Sequence, residues 1–587
     1  MHEADWRRRF RAPRTTLPQW ATDAPERLVY ASNVTGKWEL YAWDRAADSH
    51  RQLTDRREGT MHSDIAPDGR SVWWFDDTDG DEFGRWAVDD FENAAEQKIV
   101  AEKLGRSYTT GLEVGRSVSV IGRSTDDGSA IYLVGEPNDE AERLYTHREE
   151  SWLGGMSADE KLICFHHSEH GDSRHPSLRV IDLSGETVGE LSDGPGLGLS
   201  SQGFSEVPGD ERVLVMHERQ DLKRPLLWSP RNGDTAEIAL DLPGDVEASW
   251  YPDGSALLIT HENAGRSQLY RYDLSARRLQ QLETPVGVIS DAAARPDGSV
   301  WYLWSDSATP PEVRSTDGSV VLTPAGERSP GGVRYTDLWV DDIHALVAEP
   351  TKGSRPHPTI FVIHGGPEAH DRDSFSPLVQ AWVDHGLAVV LVNYRGSTGY
   401  GRAWRDALTG NPGLTELKDI AAVHNRVIAD GIADPQRLVL SGASWGGYLT
   451  LLGLGTQPER WTLGVAGVPV ADYIAAFEDE MEPLKAYDRA LFGASPEEDA
   501  ELYRVRSPIT YVDEVRVPVF VLAGENDPRC PIRQIDNYLA RLDQLGKPHE
   551  VYRYEAGHGS LRTDERIRQM EVEIDFVARH LGTEPPL

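Results

Sequence analysis

A chain of 587 residues exceeds one ordinary domain, and 39% hydrophobic with 27% charged residues is a globular composition rather than a disordered one. Acidic residues outnumber basic ones 96 to 60, and the formal charge of −36 repels a phosphate backbone, so a nucleic-acid partner is not expected. Two cysteines, Cys164 and Cys530, supply neither a disulfide framework nor a cysteine-based zinc site, and no stretch has the roughly 18–20 apolar residues of a membrane span.

The first residues, MHEADWRRRFRAPRTT, are basic but carry no apolar run of signal-peptide length. Residues 1–20 read as an N-terminal arm, and the expected compartment is the cytoplasm, with no membrane partner. From 21 to 326 short β-type runs alternate with turns: LVY at 28–30, SVWWF at 71–75, AIYLV at 130–134, LICF at 162–165, VLVM at 213–216 and ALLIT at 256–260. Pro67-Asp68-Gly69, Pro252-Asp253-Gly254 and Pro296-Asp297-Gly298 are the clearest turns. Seven such signals recur roughly every 45 residues, the period of a four-stranded propeller blade. The expectation is an all-β seven-bladed β-propeller, with an insertion in one blade between 68 and 159, where the spacing is irregular. The alternative is a β-sandwich pair or an irregular all-β region.

From 327 to 587 strands and helices alternate. TIFVIH (359–364), LAVVLVN (387–393), RLVLSG (437–442), LGVAG (463–467), PVFVLAG (518–524) and EVYRY (550–554) are strand runs, and 415–430 and 532–546 are helix-like. That alternation predicts a doubly wound, mostly parallel α/β sheet, with the linker at 322–332.

The chemistry concentrates in this second half. Gly442-Ala443-Ser444-Trp445-Gly446 stands between a strand and an apolar helix-like segment, the setting of a nucleophile elbow that exposes the serine oxygen. Upstream, His364-Gly365-Gly366-Pro367 ends a strand where a hydrolase places an oxyanion-hole amide; downstream, Asp527 and His558 each follow a strand. A serine hydroxyl needs an imidazole to take its proton and a carboxylate to hold that imidazole, and the order Ser444, Asp527, His558 is that of an α/β-hydrolase.

GASWGGY, HGGP, NYRGSTGYG (393–401), GENDPRCP and AGHG resemble the prolyl oligopeptidase family of serine peptidases, in particular its acylaminoacyl-peptidase-like branch. The resemblance spans nearly the whole chain, since that family also carries an N-terminal seven-bladed propeller. It implies Ser444 as nucleophile, Asp527 and His558 as its partners, and an oxyanion hole from the N–H groups of Gly366 and Trp445. It also implies a cavity between propeller and hydrolase that excludes large folded proteins. Some relatives face the substrate's end with a propeller glutamate and an arginine two residues after the catalytic aspartate. Here these would be Arg529 and, from the acidic loop 76–82, Glu82, with Asp81 next. A second acidic segment, 478–482, offers Glu480 and Glu482. A carboxylate aimed into a dry cavity favours a free α-ammonium, which points to an aminopeptidase acting on short peptides or aminoacyl amides. Aminoacyl-nucleoside amides such as puromycin resemble substrates of similar bacterial enzymes. Acylaminoacyl peptidase, dipeptidyl peptidase and esterase are the alternatives within this class, and a catalytically inert propeller-based binding protein is the alternative outside it. No cofactor and no metal are expected: the histidines at 166, 167, 170 and 175 flank a propeller strand, and no HExxH occurs. A homo-oligomer is left open.

Overall fold

The computed structural model describes residues 3–93, 97–135 and 140–582. Between Gln19 and Leu322 the described chain is built of antiparallel strands that pair in chain order. The turn aspartates act through their side chains: Asp68, Asp253 and Asp297 each accept from the backbone N–H two residues on, at 2.9, 3.0 and 2.9 Å. Strand-closing Asp182 accepts from Ser184 two residues on, and Asp44 and Asp273 accept from Ala47 and Ala276 three residues on.

Five four-stranded sheets occupy 19–52, 151–191, 199–237, 245–281 and 288–322, and the segment 63–147 forms one eight-stranded sheet. The expectation of seven separate blades is corrected to that extent. The reason is local: the outer strand Lys98–Ile99 covers only Ala87 and Val88 of Phe83–Asp90, leaving the start of that strand open. Ser107 and Tyr108 then pair with Gly84 and Phe83, and the unpaired edge is filled from the next group of strands. The sheets close into a ring. Leu28, Tyr30 and Trp43 of the first share a core with Trp301 and Val313 of the last, and the Arg295 guanidinium lies over both Trp20 and Trp301. Innermost strands face an axial channel of about 540 Å³ lined by Trp20, Glu113, Gly154, Gln202, Ser249 and Ala293. This half is a β-propeller.

The second half is an eight-stranded sheet. Six strands, His357–Ile363, Ala388–Asn393, Ala433–Ala443, Leu463–Gly467, Val519–Gly524 and His549–Tyr554, run parallel. Two antiparallel strands that the sequence reading passed over, Thr336–Val340 and Ile343–Ala348, complete one edge. Helices Leu414–Ala429 and Ile532–Gln544 bury apolar stripes on one face, through Leu417 and Leu539, and Trp445–Thr456, buried all round, lies with them through Leu449. Pro377–Asp384, Thr563–Leu581 and the N-terminal helix Asp5–Arg11 cover the other, with Trp6, Trp382 and Ile574 in a single cluster. The N-terminal arm therefore divides: its helix packs on the hydrolase, while Gln19–Trp20 pairs with Leu28 and Val29 as an innermost propeller strand.

The two halves meet on two sides. Backbone bonds join Thr563 to Gly36 and Trp38 to Leu561 on one, and Asp373 to Gly265 and Arg402 to Asp221 on the other. A buried ionic cluster reinforces the second side: Arg174 bonds Glu368 at 2.7 Å, Arg405 bonds Glu218 at 2.9 Å, and His175 lies between Asp172 and Asp406 at 2.8 and 3.1 Å. Among the described residues no helix is long and apolar enough to cross a membrane.

Candidate active site

Parallel strands deliver the loops at their C-terminal ends to one rim of the sheet, which is where ligands bind in such folds. Ser444 stands at the junction of Ala433–Ala443 and the helix that begins at Trp445, with φ 59° and ψ −122°. A non-glycine residue rarely adopts that backbone, and here it turns the side chain out of the sheet. Small neighbours are obligatory: a Cβ on Gly446 would lie 2.0 Å from the Ile363 carbonyl oxygen on the adjacent strand. The Ser444 N–H donates to the Gly467 carbonyl at 2.9 Å, which pins the turn.

The His364–Pro367 turn lies beside it, and a Cβ on Gly365 would sit 3.2 Å from the Ser444 Cβ. His364 holds this turn from beneath, stacked on Tyr394 at 4.3 Å and bonded to Ser397 Oγ and the Gly365 carbonyl at 2.8 Å each. Burial pushes its pKa down to about 4, so the ring is neutral and serves as a brace. Neither the Gly366 nor the Trp445 N–H makes a hydrogen bond among the described residues. The Trp445 indole packs into the hydrolase core. It is buried against Tyr448 and Tyr473 and donates to Glu416 at 3.2 Å, so it packs against the elbow rather than lining a pocket. Glu416, fully buried and pushed up to about 7 by that burial, had no signal in the sequence beyond its place in an amphipathic helix.

Asp527 follows the strand Val519–Gly524, and His558 follows His549–Tyr554. Asp527 is buried; its Oδ1 accepts from the N–H groups of Arg529 and Cys530 at 2.9 and 3.0 Å, and its Oδ2 accepts from His558 Nδ1 at 2.8 Å. That bond fixes which imidazole nitrogen carries the proton and leaves Nε2 as the acceptor.

The propeller reaches this site through the acidic loop. Glu82 meets Arg529 at 2.8 Å, the pair suggested by the family resemblance. Glu82 has φ 55°, a left-handed conformation uncommon for its residue type, and its N–H donates to Asp77. The loop is seated directly on the histidine loop, for a Cβ on Gly557 would fall 1.8 Å from the Gly80 carbonyl oxygen. Arg57 ties the same two loops by bonding Asp79 at 3.1 Å and Glu555 at 2.6 Å.

The other acids divide. Asp81 is committed to Arg106 at 2.8 Å and to the N–H groups of Thr78 and Phe83, so it shapes the loop. Glu482 pairs with Lys485 at 2.8 Å. Glu480 is buried with Oε1 unpartnered, and burial and then the neighbouring Asp488 push its carboxyl well above the usual range. Its segment abuts the Asp527 loop, where the Met481 N–H donates to the Pro528 carbonyl. The histidine cluster does not gather: His166 accepts from the Ser201 N–H, and His175 belongs to the inter-domain ionic cluster.

Residues 373–584 match the sequence profile described as "Prolyl oligopeptidase family". Among curated relatives, dipeptidyl peptidase family member 6 of Caenorhabditis elegans is 31% identical over 236 residues, covering 39% of this chain and 32% of that protein. Dipeptidyl aminopeptidase BIII of Pseudoxanthomonas mexicana is 28% identical over 438 residues, covering 68% and 59%. The chain spans about a third of the length of the first curated relatives it matches. The structure of a puromycin-hydrolyzing peptidase of Mycobacterium tuberculosis superposes with a TM-score of 0.82 at 19% identity, over 99% of this chain and 96% of that one. That likeness is one of fold across both halves.

Proposed function

We propose, from a catalytic half that belongs to the prolyl oligopeptidase family, that the protein is a serine aminopeptidase cleaving short peptides or aminoacyl amides through an acyl-enzyme. Ser444 is the nucleophile, His558 Nε2 takes its proton, and Asp527 holds the imidazole and stabilises the imidazolium that forms. The N–H groups of Gly366 and Trp445, without another partner among the described residues, receive the oxyanion. In the reverse sense His558 returns the proton to the leaving amine, and a water activated by the same nitrogen releases the acyl group.

One observation carries the choice of substrate: a propeller carboxylate, Glu82, sits on Arg529, two residues from Asp527. Of the five residues weighed for the substrate's end, Glu82 is the acid tied to Arg529 beside Asp527; Asp81 and Glu482 are as exposed, at 29% and 28% against 30%, but pair with Arg106 and Lys485. That place beside Asp527 suits Glu82 to a free α-ammonium, whereas Glu480 is buried with its carboxyl pushed well above the usual range. The names of the relatives, which include an acylamino-acid-releasing enzyme, a dipeptidyl aminopeptidase and puromycin hydrolases, fit both this reading and its alternatives within the class.

We count the eight-stranded sheet as two blades fused along one edge, 63–99 and 107–147, which makes seven blades in all. The domain limits follow as 21–326 and 327–587, with 1–20 an arm shared between them. Free Cys164 and Cys530 suit a reducing compartment, and we place the protein in the cytoplasm. The deciding experiment is a turnover panel of free and N-acetylated forms of the same aminoacyl and peptidyl amides, with fluorophosphonate labelling of Ser444 as control. Faster turnover of the acetylated forms would replace the aminopeptidase reading with acylaminoacyl peptidase. Absence of labelling would leave the inert binding protein.

A further inference from the structure

Cys530 has no role in the mechanism above, yet its Sγ, a carboxylate oxygen of Asp527 and a ring nitrogen of His558 all lie within 4.8 Å of one another. Asp527 and Cys530 are buried, and His558 keeps 17% of its side chain exposed, so solvent reaches the trio from the side of the imidazole. The thiol is free: the other cysteine, Cys164, is buried in a propeller strand. The one guanidinium on this loop is answered by Glu82 at 2.8 Å, so no uncompensated cation stands over the three ligands.

We infer that Cys530, His558 and Asp527 form an inhibitory site for a thiophilic divalent cation such as Zn²⁺. The donor set of one thiolate, one imidazole and one carboxylate is the borderline-soft kind that favours zinc or cadmium over magnesium or calcium. Zinc bonds of about 2.3 Å to sulfur and about 2.0–2.2 Å to nitrogen and oxygen place ligands about 3.3–3.6 Å apart in a tetrahedron. The 2.8 Å separation of Asp527 Oδ2 and His558 Nδ1 then opens by about half an ångström, and the thiol closes in. On binding, the Cys530 thiol proton leaves to solvent and the proton on His558 Nδ1 passes to Nε2. The nitrogen that must accept from Ser444 is then protonated, and catalysis stops without any change in the fold. The fourth tetrahedral position is left to water.

Loss of activity rests on His558 being the base, but metal binding does not, so the two are measured separately. Wild type and Cys530→Val are titrated with Zn²⁺ and Cd²⁺ in a chelator-buffered assay. Binding is followed with Co²⁺ through its thiolate charge-transfer absorption. The expectation is reversible inhibition of the wild type, relieved by EDTA and not reproduced by Mg²⁺ or Ca²⁺. Cys530→Val should lose the cobalt–thiolate absorption and, measured against its own metal-free rate, resist zinc by at least about tenfold. Should the valine variant fold poorly, Cys530→Ser serves the same purpose. Equal inhibition of wild type and variant, or a wild type that binds Co²⁺ without a thiolate band, would overturn the site. A cobalt–thiolate band in a wild type that zinc fails to inhibit would keep the metal site and remove His558 as base.

Discussion

Ser444 is forced into an outlying backbone conformation by a strand, a helix and two tight approaches, and that constraint is what presents its oxygen. Ser444→Ala should abolish hydrolysis with the fold intact; more than a few per cent of residual rate would assign the nucleophile elsewhere. His558→Ala should be nearly as severe, and Asp527→Asn should cost on the order of a thousandfold or more, because an amide in place of the carboxylate selects the wrong tautomer. Glu82 tests the substrate's charge. Its partial exposure moderates the Coulomb energy, so Glu82→Gln should lower kcat/KM for free-amine substrates roughly ten- to a hundredfold and spare acetylated ones. The same substrates should be lost on the alkaline side as their α-amine, near pKa 8, gives up its proton. A Glu82→Gln enzyme that kept the wild-type preference for free amines would remove this residue from substrate recognition.

At the scale of elements, two loops from different domains are machined to one another. The acidic loop between Ser71–Asp77 and Phe83–Asp90 meets the loop that carries His558 with no room for a single added carbon between Gly80 and Gly557. Gly557→Ala should therefore push the acidic loop off the histidine loop, or the histidine out of line. Either displacement, of about an ångström, should cost roughly a hundredfold in kcat/KM. Circular dichroism should be unchanged, since the clash lies between elements rather than within one. Wild-type kinetics in this variant would show that the loops do not need each other.

Over the whole molecule, the propeller covers the hydrolase and is held to it partly by charge. His175 is the titratable part of that attachment. Burial lowers its pKa, but the hydrogen bonds to Asp172 and Asp406 outweigh the burial and carry it up to about 9. Because the folded value is raised, its contribution is complete below about pH 6.5 and fades as pH rises through about 9. Domain docking should loosen over that interval, read as a rise in hydrodynamic radius or in cleavage at the inter-domain segment by an added protease. His175→Gln should flatten the change; an identical alkaline transition in that variant would assign it to another group. A covered site should also spare folded proteins while short peptides are cleaved, and efficient digestion of a folded protein by the intact chain would contradict the covering role.

Much of this was legible in one dimension. Pro-Asp-Gly turns and strand-closing aspartates satisfy neighbouring backbone groups, so each signals its own structure wherever it occurs. The strand-to-helix setting of Ser444 is equally local, and the order of Ser444, Asp527 and His558 needed only that each follow a parallel strand. Edge pairing escaped notice because Phe83 and Gly84 join Tyr108 and Ser107 only where an intervening strand is too short, and no residue announces that shortfall. The five residues weighed for the substrate could not be ranked along the chain for a similar reason. Asp81, Glu82, Glu480 and Glu482 are chemically alike, and only the folded surroundings make one a loop brace, one a buried acid with its carboxyl pushed well above the usual range and one a charge held on Arg529. A carboxylate's state depends on the charges and the water around it, and those are set by how two domains fold against each other.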